Sequence, residues 1–521
     1  MDWWSLLTIL KFIGIAVGVV TAVYFIGSVL TLTIGSELTA RRLRAEAQQV
    51  TGAGGDVRFV VILPMLREDS IVARTMGQFL KAIKNGLPVS VVVATTAREV
   101  QHRDSVVKEI EASLGNGHLD LSRISSLART VLNEADAESF RRLLTQKPIA
   151  ASRAQAFLHE HLRTDTGSVA RKLLPELNQA AGREAFFHVE APAEMQGKVG
   201  QMNAAVSFVK AQVNGDARKV YVGVYDADST PDQRVFDALR RVVGKREAEE
   251  MAPPGIFQQV SCYCQNLSSL KGVVGAISFA DAVAQTRWAV GFEYPLYEHY
   301  ARTVQQGADR RLVYCVGHGC FVSLELLTRI GGFPTCSPND DLALGYLASV
   351  AGIEVQPVPV LDFCDVAPNP FASIRQSRFW YLGSARFDKD IAFFRRQFGL
   401  TPSWRQKLLL YLDGRARCFF WAWRSMLWLA ATLFALATQT WWLAALLLIA
   451  HILYVQGGFL HTLWLMRRLP EANERLRVNR LPLGQVLLAM LLTSVTFIVR
   501  GLGPMSASLG FKPPQMSKIE R

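Results

Sequence analysis

From Leu6 to Ile34 the chain reads LLTILKFIGIAVGVVTAVYFIGSVLTLTI, with Lys11 as its single charge. That run exceeds the roughly 20 apolar residues needed to cross a bilayer, where only a helix or a closed barrel satisfies the backbone. It is read as a transmembrane helix spanning residues 1–35. A cleaved signal peptide fits less well, because the stretch outruns a signal core and no basic segment precedes it. Trp3 and Trp4 suit an interfacial anchor at one end, and Arg41, Arg42 and Arg44 follow the other. The positive-inside rule then puts the N-terminus outside and the next region in the cytoplasm.

A second apolar zone follows Arg417 as CFFWAWRSMLWLAATLFALA, turns at Thr438 to Thr440, and resumes as far as Met466. This reads as a helical hairpin. The arginines that follow (Arg467, Arg475, Arg477, Arg480) return the chain to the cytoplasm. The last apolar stretch, Leu483 to Val499, is near the lower limit for a span, and Arg500, Gly501, Gly503 and Pro504 interrupt its continuation. A spanning helix, a re-entrant hairpin and an interfacial helix all stay open for it, and the tail KPPQMSKIER is silent on sidedness.

Half of the residues are hydrophobic and 19% are charged, too apolar a balance for an ordinary soluble enzyme of 521 residues. The net charge of +13 raises nucleic acid as a partner, but the basic residues flank the apolar runs, where anionic lipid headgroups attract them. Membrane lipids are therefore the expected partner and nucleic acid is not. The seven cysteines, Cys262, Cys264, Cys315, Cys320, Cys336, Cys364 and Cys418, are an odd set without zinc-type pairs, as in a reduced cytosolic domain. Cys262 and Cys264 would share a strand face, but two thiols alone make a poor metal site.

Residues 36–400 form the predicted cytoplasmic domain and 401–521 a C-terminal membrane domain. Short apolar runs at Phe59 to Pro64, Val89 to Thr95 and Val220 to Asp228 predict strands separated by helices. The fold class that follows is α/β, a mostly parallel sheet with helices on both faces, joined to transmembrane helices. Ligands in such sheets lie beyond the carboxyl ends of the strands. Polar residues stand there: Arg67 and Glu68, then Thr95, Thr96 and Glu99, then Asp226 and Asp228. Residues 98–183 read as a polar helical insertion and 370–400 as interfacial helices.

Asp226-Ala227-Asp228, after an apolar strand, offers two carboxylates of the kind that bind hard divalent cations and, through them, phosphates. The pair also fits a turn leading into Ser229-Thr230-Pro231. Asn339-Asp340-Asp341 opens a helical pattern, where a carboxylate is either an acidic first turn or a general base. His318 lies between Gly317 and Gly319, either touching an acceptor or hydrogen-bonded in a tight turn.

In order along the chain, VVILPMLRED, GKVGQMNAA, Asp226-Ala227-Asp228-Ser229, Gln258-Gln259, YCVGHGCFVS, Asp340-Asp341-Leu342 and Gln376 with Trp380 resemble the motifs of membrane-bound family 2 glycosyltransferases. That group includes cellulose, chitin and hyaluronan synthases. The resemblance covers Val60 to about Gly383 and implies a GT-A type fold. It implies an inverting transfer from a nucleotide-sugar, with a UDP-sugar expected, to a polysaccharide or glycolipid acceptor. Donor contacts would come from Pro64, Arg67, Glu68, Thr95, Lys198, Asn203 and Asp226. Asp228 with Asp226 would hold Mg²⁺ or Mn²⁺, and Asp341, with Asp340, would be the base. Gly317, His318, Gly319, Gln376, Arg378 and Trp380 would line the acceptor side. A homo-oligomer or polysaccharide-export partners are further expectations from the resemblance.

Three positions depart from the family pattern. Thr95-Thr96 stands where many relatives carry a base-contacting aspartate, Asp340 replaces a glutamate, and Phe379 occupies the arginine place of Gln-x-x-Arg-Trp, with Arg378 one residue earlier. A one-residue displacement on a helix turns a side chain by about 100°. Either the local backbone compensates, or Trp380 alone supports the acceptor and Arg378 does something else. A silent nucleotide-sugar-binding scaffold is the competing reading, against which stand Lys198, Asp226, Asp228 and Asp341 together.

Overall fold

Two compact units make up the structure, a computed structural model that describes residues 3–49, 54–115, 120–145, 151–213, 215–479 and 481–511. The polar tail from Lys512 lies outside the described residues. One unit comprises Arg58–Asp228 with Leu327–Phe333; the other comprises Met1–Val57, Ser229–Leu326 and Pro334–Arg521.

In the first unit, β1 (Arg58–Pro64), β2 (Val89–Thr96), β3 (Phe186–Ala191) and β4 (Val220–Val224) are all parallel, in the order β3-β2-β1-β4. Val61, Ile62, Leu63, Val91, Val92 and Val93 are buried, as expected of strands covered on both faces. Helices Val72–Lys84 and Thr166–Ala181 pack against each other and on β2. The helix Gly197–Gln212 packs on β1, β2 and β3, with the Phe208 ring 5.5 Å from that of Phe187. The sheet is α/β and mostly parallel, as the sequence predicts. β4 is shorter than the apolar run suggests: its register with β1 ends at Val224, with a last bond from Tyr225 N to Ile62 O at 3.2 Å.

Among the described residues from Arg98 to Ala181 there are five helices, four of which share a small core of their own around Ile110, Ile124, Phe140 and Leu158. Asp120 and Asp165 cap two of them through their side chains.

In the second unit, β6 (Ile256–Tyr263) runs parallel to β8 (Val355–Cys364), while β7 (Cys320–Ser323) is antiparallel to β6 and β5 (Thr230–Pro231) antiparallel to β8. The register of β6 against β8 shifts at Gln259/Val260. Among its described residues the same unit holds three helices long and apolar enough to cross a membrane: Thr8–Ala47, Trp404–Ala437 and Trp441–Arg468. The first runs unbroken past Ile34 to Ala47, because small residues there let it pack closely: Ser36, Thr39 and Ala40 are buried, and Thr39 Oγ1 donates to Val290 O at 2.7 Å. Helices Leu483–Leu491 and Thr493–Ser508 meet at 58°. The interruption thus falls at Leu492 and not at Arg500, whose guanidinium is neutralised by Asp281 at 2.5 Å, so the second helix continues through it.

Candidate functional site

β1, β2 and β4 are parallel, so their carboxyl ends open on one edge, where Pro64 and Thr95 stand. Pro64 closes β1, and Met65 N still donates to Ala94 O at 2.9 Å. Arg67 follows with φ +59°, a left-handed conformation uncommon outside glycine and concentrated at functional sites. Glu68 is buried, and its backbone N–H donates to Thr166 Oγ1 at 3.0 Å; Thr166 in turn donates its N–H and hydroxyl to Glu99 Oε1. The helical insertion therefore shapes this edge, a role that composition does not reveal.

The loop carrying the two carboxylates is fixed from below. Thr75 Oγ1 donates to Ala227 O at 2.6 Å, holding Asp226 and Asp228 on either side of a pinned peptide. Asp228 is buried, and Asp226 accepts from Lys198 Nζ at 2.7 Å. Lys198 stands in the first turn of Gly197–Gln212, where Gln201 Nε2 donates to Met65 O at 2.8 Å, tying the helix start to the end of β1. Thr75 and Gln201 were not singled out from sequence; their signal is only polarity on otherwise apolar helix faces. Asn203 bonds to the backbone of Phe333: its amide donates to Phe333 O at 3.0 Å and accepts from Phe333 N at 2.7 Å.

Thr95 Oγ1 is 2.8 Å from His188 Nε2. Burial, with help from the Arg171 guanidinium and against the Asp165 carboxylate, lowers His188 to about 4. The ring is thus neutral at physiological pH, a hydrogen-bond partner and not a cation.

In the second unit, Asp340 and Asp341 open the helix Asp340–Ala351. Asp341 Oδ1 accepts from Leu342 N at 2.8 Å, and its backbone O accepts from Cys315 N at 3.4 Å. Ser349 Oγ, on the same helix, accepts from Val313 N at 2.8 Å. The helix is therefore clamped along the segment that leads into Gly317-His318-Gly319. His318 is buried, with Nδ1 at 2.7 Å from Asp362 Oδ2. Gly319 has φ +62°, and a Cβ there would meet Gln259 Cβ at 2.9 Å, so this turn admits only glycine. Glu293, in the π-turn Ala289–Glu293, accepts from Tyr314 OH at 2.9 Å, and burial raises its carboxyl to about 7, with Asp341 adding to the rise.

Gln376 and Trp380, four apart on the helix Pro370–Ser384, share a face and are half-buried. Arg378, two residues from each, points away from that face: it is buried, donating to Ser506 Oγ at 2.6 Å and to Phe511 O. Arg378 thereby ties its helix to Thr493–Ser508.

Among the described residues, two groups of side chains have metal-ligating chemistry. Asp226 and Asp228 offer only oxygens, which suit Mg²⁺ or Mn²⁺. His318, Asp362 and Cys364 offer nitrogen, oxygen and sulfur, with the ligand atoms within 4.8 Å of one another. Asp362 was not foreseen, although Asp362 and Cys364 at i and i+2 on one strand share a face.

No family model and no curated protein matches the chain. Among solved structures it is similar to a mannosyltransferase from Pyrobaculum calidifontis in complex with GDP-Man and Mn²⁺, at 14% identity and a TM-score of 0.41, covering 92% of this chain and 98% of that one. At so low a likeness, the chemistry of this chain rests on its own residues.

Proposed function

We propose that the chain is a membrane-embedded inverting glycosyltransferase, moving a sugar from a nucleotide donor to a polysaccharide or glycolipid acceptor at the cytoplasmic membrane face. The observation that carries this reading is the arrangement beyond β1, β2 and β4: two carboxylates on a pinned loop, with a lysine ammonium 2.7 Å from one of them, at a parallel sheet's carboxyl edge. An ammonium and a carboxylate-held dication together suit a diphosphate.

In this reading Arg67, Glu68 and the Thr95 region cradle a nucleotide, with UDP the expected one, and Lys198 turns from Asp226 towards the diphosphate. A bound Mg²⁺ or Mn²⁺ at Asp226 and Asp228 supplies neutralisation of charge building on the leaving group. Asp341 takes the proton of the acceptor hydroxyl as that oxygen attacks the anomeric carbon opposite the leaving diphosphate. The C–O bond to the acceptor forms as the bond to phosphate breaks, so one displacement inverts the centre without a covalent sugar-enzyme intermediate. Gly317, Gly319, Gln376 and Trp380 are the acceptor-side candidates. The long apolar helices of the second unit support a cell-membrane location, and Arg41, Arg42 and Arg44 after the first of them support a cytoplasmic side there.

The test is nucleotide release in lipid nanodiscs from a panel of UDP-, GDP- and dTDP-sugars with Mn²⁺ or Mg²⁺, comparing wild type with Asp228→Asn. Release from one donor that needs both metal and Asp228 is expected. Silence across the panel with tight donor binding retained would favour the scaffold reading.

A further inference from the structure

We propose that His318, Asp362 and Cys364 form a zinc site, separate in chemistry from the oxygen-only pair Asp226 and Asp228. The three side chains are buried. His318 Nδ1 is 2.7 Å from Asp362 Oδ2, and Cys364 Sγ is 3.4 Å from that nitrogen and 3.7 Å from that oxygen. With Zn–N and Zn–O of about 2.0–2.1 Å and Zn–S of about 2.3 Å, tetrahedral ligands stand roughly 3.3–3.6 Å apart. The two sulfur edges already lie close to that range. The nitrogen–oxygen edge has to open by about 0.6 Å, which a small tilt of the imidazole accomplishes.

The groups that carry these ligands are held in place. Asp362 and Cys364 alternate on β8, in register with Ser261 and Tyr263 of β6. The histidine turn is fixed by Gln258, whose Nε2 donates to His318 O at 3.0 Å and whose Oε1 accepts from Val316 N at 2.9 Å. Gln259 Nε2 donates to Leu361 O at 2.7 Å, next to the ligand strand. Ligands on a rigid strand and a locked turn are the arrangement that a metal site requires.

Charge points the same way. A buried carboxylate and a buried thiolate are costly together, but a dication between them makes the cluster neutral, with the thiol proton released to solvent on binding. A sulfur and an imidazole select a zinc-like ion over Mg²⁺ or Mn²⁺. Three protein ligands leave a fourth position for water or a substrate oxygen, the pattern of catalytic zinc sites.

The experiment uses the full chain, purified without a polyhistidine tag from cells supplied with zinc, and measures bound metal by mass spectrometry. About one zinc per chain is expected in wild type, falling at least fivefold in Cys364→Ser. Cobalt exchanged into the wild-type protein should add a near-ultraviolet thiolate-to-cobalt band, a readout that needs no variant to fold. Zinc equally retained by Cys364→Ser would overturn the proposal. So would a wild-type protein that holds no zinc and shows no thiolate band with cobalt.

Discussion

Replacing Gly200 by alanine probes the geometry that aims Lys198. Gly200 lies two residues after the lysine, and a Cβ built there comes 2.6 Å from the carbonyl carbon and 2.7 Å from the oxygen of Met195. Ordinary contact begins at 3.4 Å, so the helix start must shift from the Pro192–Met195 turn by about 0.8 Å, because the opposing atoms are backbone and cannot rotate away. Overpacking of this kind destabilises by about 1–3 kcal/mol. Alanine's better helix propensity returns about 1 kcal/mol, leaving a net loss of about 0–2 kcal/mol. Displacements near 1 Å at a catalytic constellation lower rates by about 10²-fold, so a loss of roughly tenfold or more in donor kcat/KM is expected. Gly77, on the helix Val72–Lys84 of the same unit, has nothing within 4 Å of its Cβ position and serves as the matched control. Gly77→Ala should leave activity unchanged and stability equal or slightly raised. Melting temperature and donor-concentration dependence of nucleotide release measure both effects. Gly200→Ala with wild-type melting and wild-type kcat/KM would refute the reasoning.

Other outcomes follow from individual contacts. His188 binds a proton below about 6.5 when unfolded but only below about 4 when folded, so stability is full above pH 6.5 and is lost as pH falls towards 4. Discounted for partial solvent access, the loss is about 1–2 kcal/mol; melting curves across that window should show it, and His188→Gln should flatten it. Asn203→Ala should cost about 2 kcal/mol through the two lost bonds to Phe333, read by melting, without the metal dependence expected of a donor contact. Arg378→Ala should lower the melting temperature by releasing Ser506 and Phe511 while leaving donor KM unchanged; a selective rise in acceptor KM at constant stability would contradict this.

What the sequence makes legible is what short-range pattern encodes. The all-apolar runs behind Pro64 and Thr95 become central parallel strands, since only a doubly covered strand tolerates apolar residues on both faces. β8 escapes that reading because Pro357 and Pro359 interrupt it, and proline argues against a central strand until the neighbouring ladder is known. The long apolar helices are legible from their apolar runs, whereas the continuation of the last helix through Arg500 is not, because the Asp281 that neutralises it lies 219 positions away. The site divides similarly. Asp226, Asp228 and Asp341 stand out as motifs, but the threonine that pins Ala227 and the aspartate beside His318 come from distant segments. Arg378, two residues from both Gln376 and Trp380, bonds to Ser506 and Phe511, partners that local pattern does not name.

The central claim is transfer chemistry with Asp341 as the base, and its most direct test is sugar transfer itself. Wild-type protein and Asp341→Asn in nanodiscs would be given a labelled donor identified by the release panel, together with membrane extract as acceptor, and the label in the acceptor fraction and its anomeric configuration read by NMR. Transfer with inversion is expected in wild type, and a loss of about 10²-fold or more in Asp341→Asn with donor binding unchanged. Full transfer by Asp341→Asn, or a product with retained configuration, would contradict it.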